Sequence, residues 1–396
     1  LLNNKIDELV IGGTQAQLPQ LPWTNEDPYS ALVRKFNPGV KISHMGHLHH
    51  LGHAAATFYG SGFETAVAVV VDGAGSYQQE YLYDGRITGG FETESIYHCS
   101  YPHEFNAVYK RYSDGQNLYF DNGIQEFDNS VTLTKAYEAV TDYLGFGFIE
   151  AGKTMGLAPY GQEDPDLPKF FIEGKGNKNL LKPLYPAGSQ IDEDRFPLLK
   201  RYSDPKEWHN DFSLCRDIDK NLAYHIQKET EEQMYDLIQK AIDITGEENI
   251  VISGGYALNC VANYKYIKKF PNINFYIDPI AHDGGTAIGL ARHAWHIYSQ
   301  DMESRPLTSL YLSSLPDYSS LDYIESQLPD IKIQNTTYDD VANLIVEGNI
   351  VALFQGASEG GPRALGNRSI LFDARNPNGK EIVNRSEEHT SELQSH

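Results

Sequence analysis

Between residues 249 and 299 the sequence alternates twice between a short apolar run and a longer amphipathic one: NIVISGG, YALNCVANYKYIKKF, INFYIDP and GGTAIGLARHAWHIYS. The first and third have strand length and strand composition. The second and fourth carry their apolar residues at helical spacing. Strand–helix–strand–helix in this order is the signature of an α/β layer. AVAVVV (66–71) is a buried strand that ends on the acidic turn Asp72-Gly73. DIDKNLAYHIQKETEEQMYDLIQKAIDITG reads as one long amphipathic helix, with acids at its start and a glycine stop.

The remaining stretches are read in the same way. DELVIGG is a short strand, LHHLGHAAATFYG a helix stopping at Gly60, EYLYDGRITGGFETE a hairpin about Asp84-Gly85, and TKAYEAVTDYLGF a helix. Residues 100–130 read as a long surface insertion, AGKTMGLAPYG as a glycine-bounded loop, and 162–215 as a region with little regular pattern. RPLTSLYLSSLPDYSS (305–320) has the composition of a linker. Beyond it a new series opens with DIKIQNTT as strand, YDDVANLIVEG as helix and NIVALFQG as strand. The expected organisation is a first domain over 1–304, a linker over 305–320 and the start of a second α/β domain over 321–384.

Charge and cysteine content narrow the function classes. With 32 basic and 54 acidic residues the net charge is −22, so the surface as a whole repels a nucleic-acid backbone. No apolar run approaches the ~18 residues of a membrane span. Three cysteines without a CxxC make no disulfide framework and point to a reducing, cytoplasmic setting. The first residue is Leu1, and the chain is expected to begin inside a longer gene. The last twelve residues, RSEEHTSELQSH, are polar and aperiodic, and read as a translated sequencing adapter.

Five of the fourteen histidines lie between His44 and His53. Positions three or four apart on a helix can present two imidazoles to one metal. His49 with His53, His47 with His50 and His50 with His53 all meet that condition, and a solvated helix face is the plain alternative. Asp72, at the end of a buried strand, and Asp283, after a strand and before a glycine-opened helix, can add carboxylates. Two carboxylates ~5 Å apart repel by about 3 kcal/mol at an effective dielectric of 20. A divalent cation between them turns that repulsion into a site suited to Fe, Mn or Zn. The pair Gly254-Gly255 lets a ligand approach the backbone before a helix N-terminus, a weak nucleotide signal by itself. In FQGASEGGPRALGNRSIL, Arg363 and Arg368 stand on an irregular loop and can fork onto phosphate oxygens. The alternative is pairing with Glu359 or Asp373.

HHLGHAAATF, DGAG, GKTMGLAPYG, SGGYALNCVAN, HDGGTAIG and GPRALGNRSIL stand in the order found in the NodU/CmcH-type O-carbamoyltransferases. The chain resembles that family from about residue 7 to Asn384. The resemblance implies a two-lobed, actin/Hsp70-like (ribonuclease H-like) Kae1-like domain followed by a YrdC-like domain. In such enzymes the second domain makes carbamoyl-adenylate from carbamoyl phosphate and ATP. The first passes the carbamoyl group to a small-molecule hydroxyl and releases AMP. By position, the resemblance implies His49, His53, Asp72 and Asp283 as metal ligands, with iron first and manganese or zinc as alternatives. It implies Lys153, Gly254, Gly255 and Asn259 on the nucleotide side, and Arg363 and Arg368 at the carbamoyl-phosphate and ATP site. His44, His47 and His50 fall outside the ligand set.

Three features depart from the pattern: Ala357 replaces a basic residue, His282 precedes the ligand acid, and both ends of the family are expected to lie beyond this chain. The base for the acceptor hydroxyl is expected in the segment before Leu1. The chain as written is therefore expected to bind metal without carbamoylating. A threonylcarbamoyl transferase acting on tRNA would share HxxxH, but GPRALGNR and the net charge argue against it. A non-catalytic binding relic is the other rival, suggested by Ala357.

Overall fold

The structure, a computed structural model, describes residues 6–13, 26–82, 84–113, 119–147, 149–184, 188–196, 199, 208–209, 211–315, 318–319, 321–328, 331–379 and 382–383. The adapter-like residues 385–396 lie outside these. The chain divides into two compact units, Leu1–Leu307 and Thr308–His396.

The first unit opens with β1 (Glu8–Ile11), α1 (Pro28–Phe36), β2 (Lys41–His44) and α2 (His49–Ser61). Then come β3 (Thr65–Val71), β4 (Tyr77–Tyr81), β5 (Ile87–Ser100), β6 (Glu104–Ser113), β7 (Phe120–Asp121) and β8 (Gln125–Phe127). Helices α3 (Leu133–Tyr143) and α4 (Ala151–Leu157) precede two small ribbons, β9 (Phe171–Ile172) with β10 (Lys175–Gly176) and β11 (Leu181–Leu184) with β12 (Gly188–Ile191). The unit closes with α5 (Asp217–Thr245), β13 (Asn249–Ser253), α6 (Cys260–Lys269), β14 (Asn274–Ile277) and α7 (Gly284–Ser299).

An eight-stranded mixed sheet organises these elements, in the order β14-β13-β3-β5-β6-β8-β7 with β4 on β5. The run β3-β5-β6 is an antiparallel meander, while β13 and β14 continue parallel to β3. That is a ribonuclease H-like strand arrangement. β1 and β2 form a separate parallel ladder beside α7.

β3 lies at the centre because it is apolar on both faces. Val67, Val69 and Val71 enter the core with α3 and α5, while Ala66, Ala68 and Val70 meet Ala54, Ala55, Phe58 and Tyr59 of α2. All six of these β3 residues are at most 1% exposed. Burying each valine contributes about 1.5–3 kcal/mol. The long helix α5 ends as its sequence requires, on Gly246 in the left-handed region with φ 66°.

Three local expectations are corrected. The described residues of 100–130 are not a surface insertion, because β6 pairs with β5 along its length and β8 pairs with β6. The tyrosines there fill the layer: Tyr109 and Tyr112 are buried, and Tyr112 stacks on Phe127. AGKTMGLAPYG is helix α4 and a 3-10 turn, since Gly152 and Gly156 meet no neighbour and cost the helix only backbone entropy. The described residues of DIKIQNTT form no strand. They find no strand partner; Ile333 N instead donates to Glu325 Oε1, and Thr337 makes a capping box with Asp340.

In the second unit α8 (Leu321–Gln327) and α9 (Tyr338–Val346) precede the antiparallel pair β15 (Val351–Phe354) and β16 (Arg368–Leu371). Among its described residues only Glu359 is buried, and Phe354 and Ile370 are exposed.

α2 and α7 meet backbone to backbone. A Cβ on Gly289 would stand 2.0 Å from the Gly52 carbonyl oxygen and 2.5 Å from the Ala56 nitrogen. Neither group can yield without moving a helix, so Gly289→Ala should lose about 3 kcal/mol. Gly156→Ala, in open space within α4, should gain about 0.5–1 kcal/mol. Denaturant unfolding of the two variants checks both signs.

Candidate metal centre

The centre is assembled where β3 and α7 meet the first two turns of α2. His49 and His53 stand four residues apart, so their imidazoles leave one face of the helix. Both are buried, with ring centroids 4.8 Å apart. Asp72 follows β3 and is buried. Asp283 occupies the N-cap position of α7 but makes no capping bond, which leaves its carboxylate for the histidines. One donor atom from each of the four lies within 4.8 Å of every other.

The distances define a common focus. His49 Nε2 is 3.3 Å from Asp72 Oδ2 and 3.5 Å from Asp283 Oδ1. His53 Nε2 is 3.5 Å from Asp283 Oδ1 and 3.9 Å from Asp72 Oδ2. The two Nε2 atoms are 3.2 Å apart. One Nε2–H can serve one acceptor direction, so two facing imidazoles and two carboxylates leave more lone pairs than protons.

Electrostatics follows from that imbalance. Burial works against charge on His49, but hydrogen bonds to Asp283 and Asp72 overcome it and raise its pKa to about 10. Burial likewise opposes ionisation of Asp72, and the histidines hold its carboxyl far below the usual range. Hydrogen bonds from His49 and His53 do the same for Asp283. The site thus keeps two anions with a proton between them. A divalent cation would take that proton's place, and the N₂O₂ donor set suits a first-row metal.

The glycine pair has a structural role here. Gly254 sits at φ 93°, and a Cβ on it would lie 2.2 Å from the Val71 carbonyl oxygen. This close approach brings the Gly255 N–H to Asp72 Oδ1 at 2.9 Å and orients the carboxylate. Asn259 is also engaged: its Oδ1 caps α6 through Ala262 N, and its amide pairs reciprocally with Gln227 of α5. Lys153 lies on α4 with its ammonium on Glu150. Of the other histidines, His44 and His47 are exposed, and His50 is buried on a different bearing, with Nδ1 2.7 Å from Ser95 Oγ.

Arg363 and Arg368 belong to the second unit. Arg368 forks onto Glu359, with Nε 2.9 Å from Oε2. Although burial pushes the Glu359 carboxyl up, Arg368 and the N–H groups of Asn367 and Leu365 bring it down to about 2. Arg363 is exposed and has no ion-pair partner among the described residues.

A family model described as the carbamoyltransferase N-terminus matches residues 31–292, and one described as the carbamoyltransferase C-terminus matches 342–390. The chain belongs to the carbamoyltransferase family. An uncharacterized protein of Synechocystis, sll1178, is 30% identical over 85% of this chain and 52% of its own length. Nodulation protein NolNO of Sinorhizobium fredii is 30% identical over 89% of this chain and 47% of its own length. The chain therefore spans about half the length of these curated relatives. The 3'-hydroxymethylcephem-O-carbamoyltransferase of Streptomyces clavuligerus is 30% identical over 34% of this chain and 25% of its own length. All four residues of the centre lie inside the first matched region.

Sequence reasoning did not single out Ser76, Glu92 or Ser253, which surround the centre; Ser253 Oγ stands 3.4 Å from His53 Nδ1. They carry no spacing signal of their own: the pairing of β5 and β13 with β3 brings in Glu92 and Ser253, and the connection from β3 to β4 brings in Ser76.

His49→Ala or His53→Ala should each lose most bound metal, while His44→Ala should keep the parent's content. Elemental analysis of the purified variants after loading with Fe²⁺ or Zn²⁺ reads the outcome.

Proposed function

We propose that this chain is the carbamoyl-transferring part, with the opening of the adenylate-forming part, of an ATP-dependent O-carbamoyltransferase. The carrying observation is the convergence of His49, His53, Asp72 and Asp283 in a chain matched over 31–292 to the carbamoyltransferase N-terminus. Carbamoyl phosphate first gives up its phosphoryl group to water as inorganic phosphate; an oxygen of the carbamate left behind then bonds to the α-phosphorus of ATP, the α–β phosphoanhydride breaks and pyrophosphate leaves, giving carbamoyl-adenylate. The acceptor oxygen bonds to the carbamoyl carbon, the carbon–oxygen bond to phosphate breaks, AMP leaves and the hydroxyl proton is lost. The relative named for a 3'-hydroxymethylcephem supports a small-molecule hydroxyl as acceptor. The net charge of −22 disfavours a nucleic acid.

A divalent metal held by the four residues, iron foremost, would supply Lewis-acid polarisation of an oxygen on the acyl phosphate. The chain's own groups do the rest. Gly255 N–H holds Asp72 in its orientation, and the burial of α2 keeps the imidazoles in one rotamer and away from bulk water. Gly254, Gly255, Asn259 and Lys153 stand on the nucleotide side, Asn259 as the cap that fixes the start of α6. In the second unit, which we read as the start of a YrdC-like domain, Arg368 braces the loop through Glu359. Arg363, exposed and without an ion-pair partner among the described residues, is the guanidinium we assign to a phosphate. Among the described residues no helix is long and apolar enough to cross a membrane, which is compatible with a cytoplasmic enzyme.

The test uses a form of the protein carried to the length of its relatives. Arg363→Ala should abolish pyrophosphate release from ATP with carbamoyl phosphate, yet spare transfer, with its release of AMP, from pre-made carbamoyl-adenylate. His53→Ala should do the reverse. If both variants lose both half-reactions, the division of labour between the two units is wrong.

A further inference from the structure

Helix α2 carries both imidazoles, yet it lacks the usual means of fixing its own start. Leu48 at the N-cap position makes no side-chain capping bond, and the first turn holds no acid. The first N–H groups of a helix have no partner within it. Here they are met from another part of the chain. His49 N donates to Ser76 Oγ at 3.1 Å, and His50 N reaches Glu92 Oε2 at 3.5 Å. Ser76 Oγ in turn donates to the Gly46 carbonyl at 2.9 Å, and Ser76 N donates to the same Glu92 oxygen at 3.2 Å. Lys110 bonds the other oxygen of Glu92. Ser76 and Glu92 are 5% and 3% exposed, so these bonds face little competition from water.

A bulge makes this possible. Along β5, Ser95 faces His50 of α2, and strict alternation would send Glu92 to the opposite face. The β5–β6 register shifts between Glu92 and Glu94, leaving Thr93 unpaired in the ladder. The shift turns Glu92 to the α2 face with Lys110, while Glu94 pairs with Arg111. Bulges that re-aim a side chain are common beside active sites. The result is a carboxylate at the positive end of α2, supplied from a strand.

We infer that Ser76 and Glu92 are positioning residues that set the rotation and height of α2, and so aim His49 and His53 at the focus shared with Asp72 and Asp283. This inference rests on the metal reading above. The geometry says why such a clamp is needed. A side-chain tip about 5–6 Å from a helix axis moves about 1 Å for a 10° rotation. Metal–ligand distances tolerate about 0.2 Å. A helix start without its clamp would misplace both imidazoles together.

The experiment compares the parent chain with Ser76→Ala, Glu92→Gln and a destabilising control, Ile238→Ala, whose side chain is fully buried on α5. Amide hydrogen exchange on the metal-free proteins comes first. Protection of the His49 and His50 amides should fall about tenfold in the two clamp variants and stay at the parent level relative to global stability in the control. Zn²⁺ titration then reads affinity, and the absorption bands of bound Co²⁺ read coordination geometry. Affinity should fall about tenfold to a hundredfold in the clamp variants, with altered Co²⁺ bands, and hold in Ile238→Ala. Unchanged exchange would overturn the clamp itself. Lost protection with parent-like Zn²⁺ affinity and Co²⁺ bands would overturn the positioning role. A parent that binds neither ion would remove the metal reading, and the inference with it, whatever the exchange data showed of the clamp.

Discussion

The centre exists because the sheet changes direction at β3. That strand is antiparallel to β5 and parallel to β13, so the ends of β3 and β13 that carry Asp72 and Gly254-Gly255 lie side by side. In open α/β sheets such a switch leaves a crevice at the carboxyl ends of the strands. The Gly255 N–H crosses from one strand end to the other to hold Asp72. Everything else at the centre is placed with respect to this pair of strand ends: α2 packs over β3 and β13, and α7 follows β14.

The same arrangement explains why small residues crowd this part of the molecule. α2 touches β3 through Ala54 and Ala55 and meets α7 at Gly52 and Gly289. Close approach of the two helices is what lets Asp283, at the start of α7, reach both imidazoles. With bulkier residues at these positions α7 would stand farther from α2, and the fourth donor would fall short of the other three. Packing and chemistry are therefore one constraint here.

The centre is also an electrostatic compromise. Buried Asp72 and Glu92 approach α2 from different strands, and each is balanced by a different group, the histidines for one and Lys110 for the other. An unpaired buried carboxylate would be costly or would take up a proton. Both carboxyls are held below their ordinary range against burial, with His50 lying near enough to act on each, while the ion pairs differ: Asp72 meets His49 and Glu92 meets Lys110. In the second unit Glu359 uses the same principle in another setting, tying the GPRALGNR loop together through one buried carboxylate.

Several elements were legible in the chain itself. AVAVVV, apolar at every position, could only be a strand covered on both faces, and the run from NIVISGG to GGTAIGLARHAWHIYS carried its α/β order in its periodicity. His49, His53, Asp72 and Asp283 were legible as residues able to share a metal, because helix spacing and strand ends are local properties. Lys110 and Glu92 were not, because a charge within a strand says nothing about which face it takes once a bulge has shifted the alternation, and Ser76 was not, because a loop serine between two strands has no periodicity to read. Spacing could not show that Asn259 would be taken up by Gln227, 32 residues away, and it left Arg368 open between a phosphate and Glu359; folding brings Arg368 onto Glu359. The local sequence determined the elements and the donors they carry. Which donors meet, and which are engaged elsewhere, was decided by long-range strand pairing and by the close approach of α2 to α7, neither of which has a local signature.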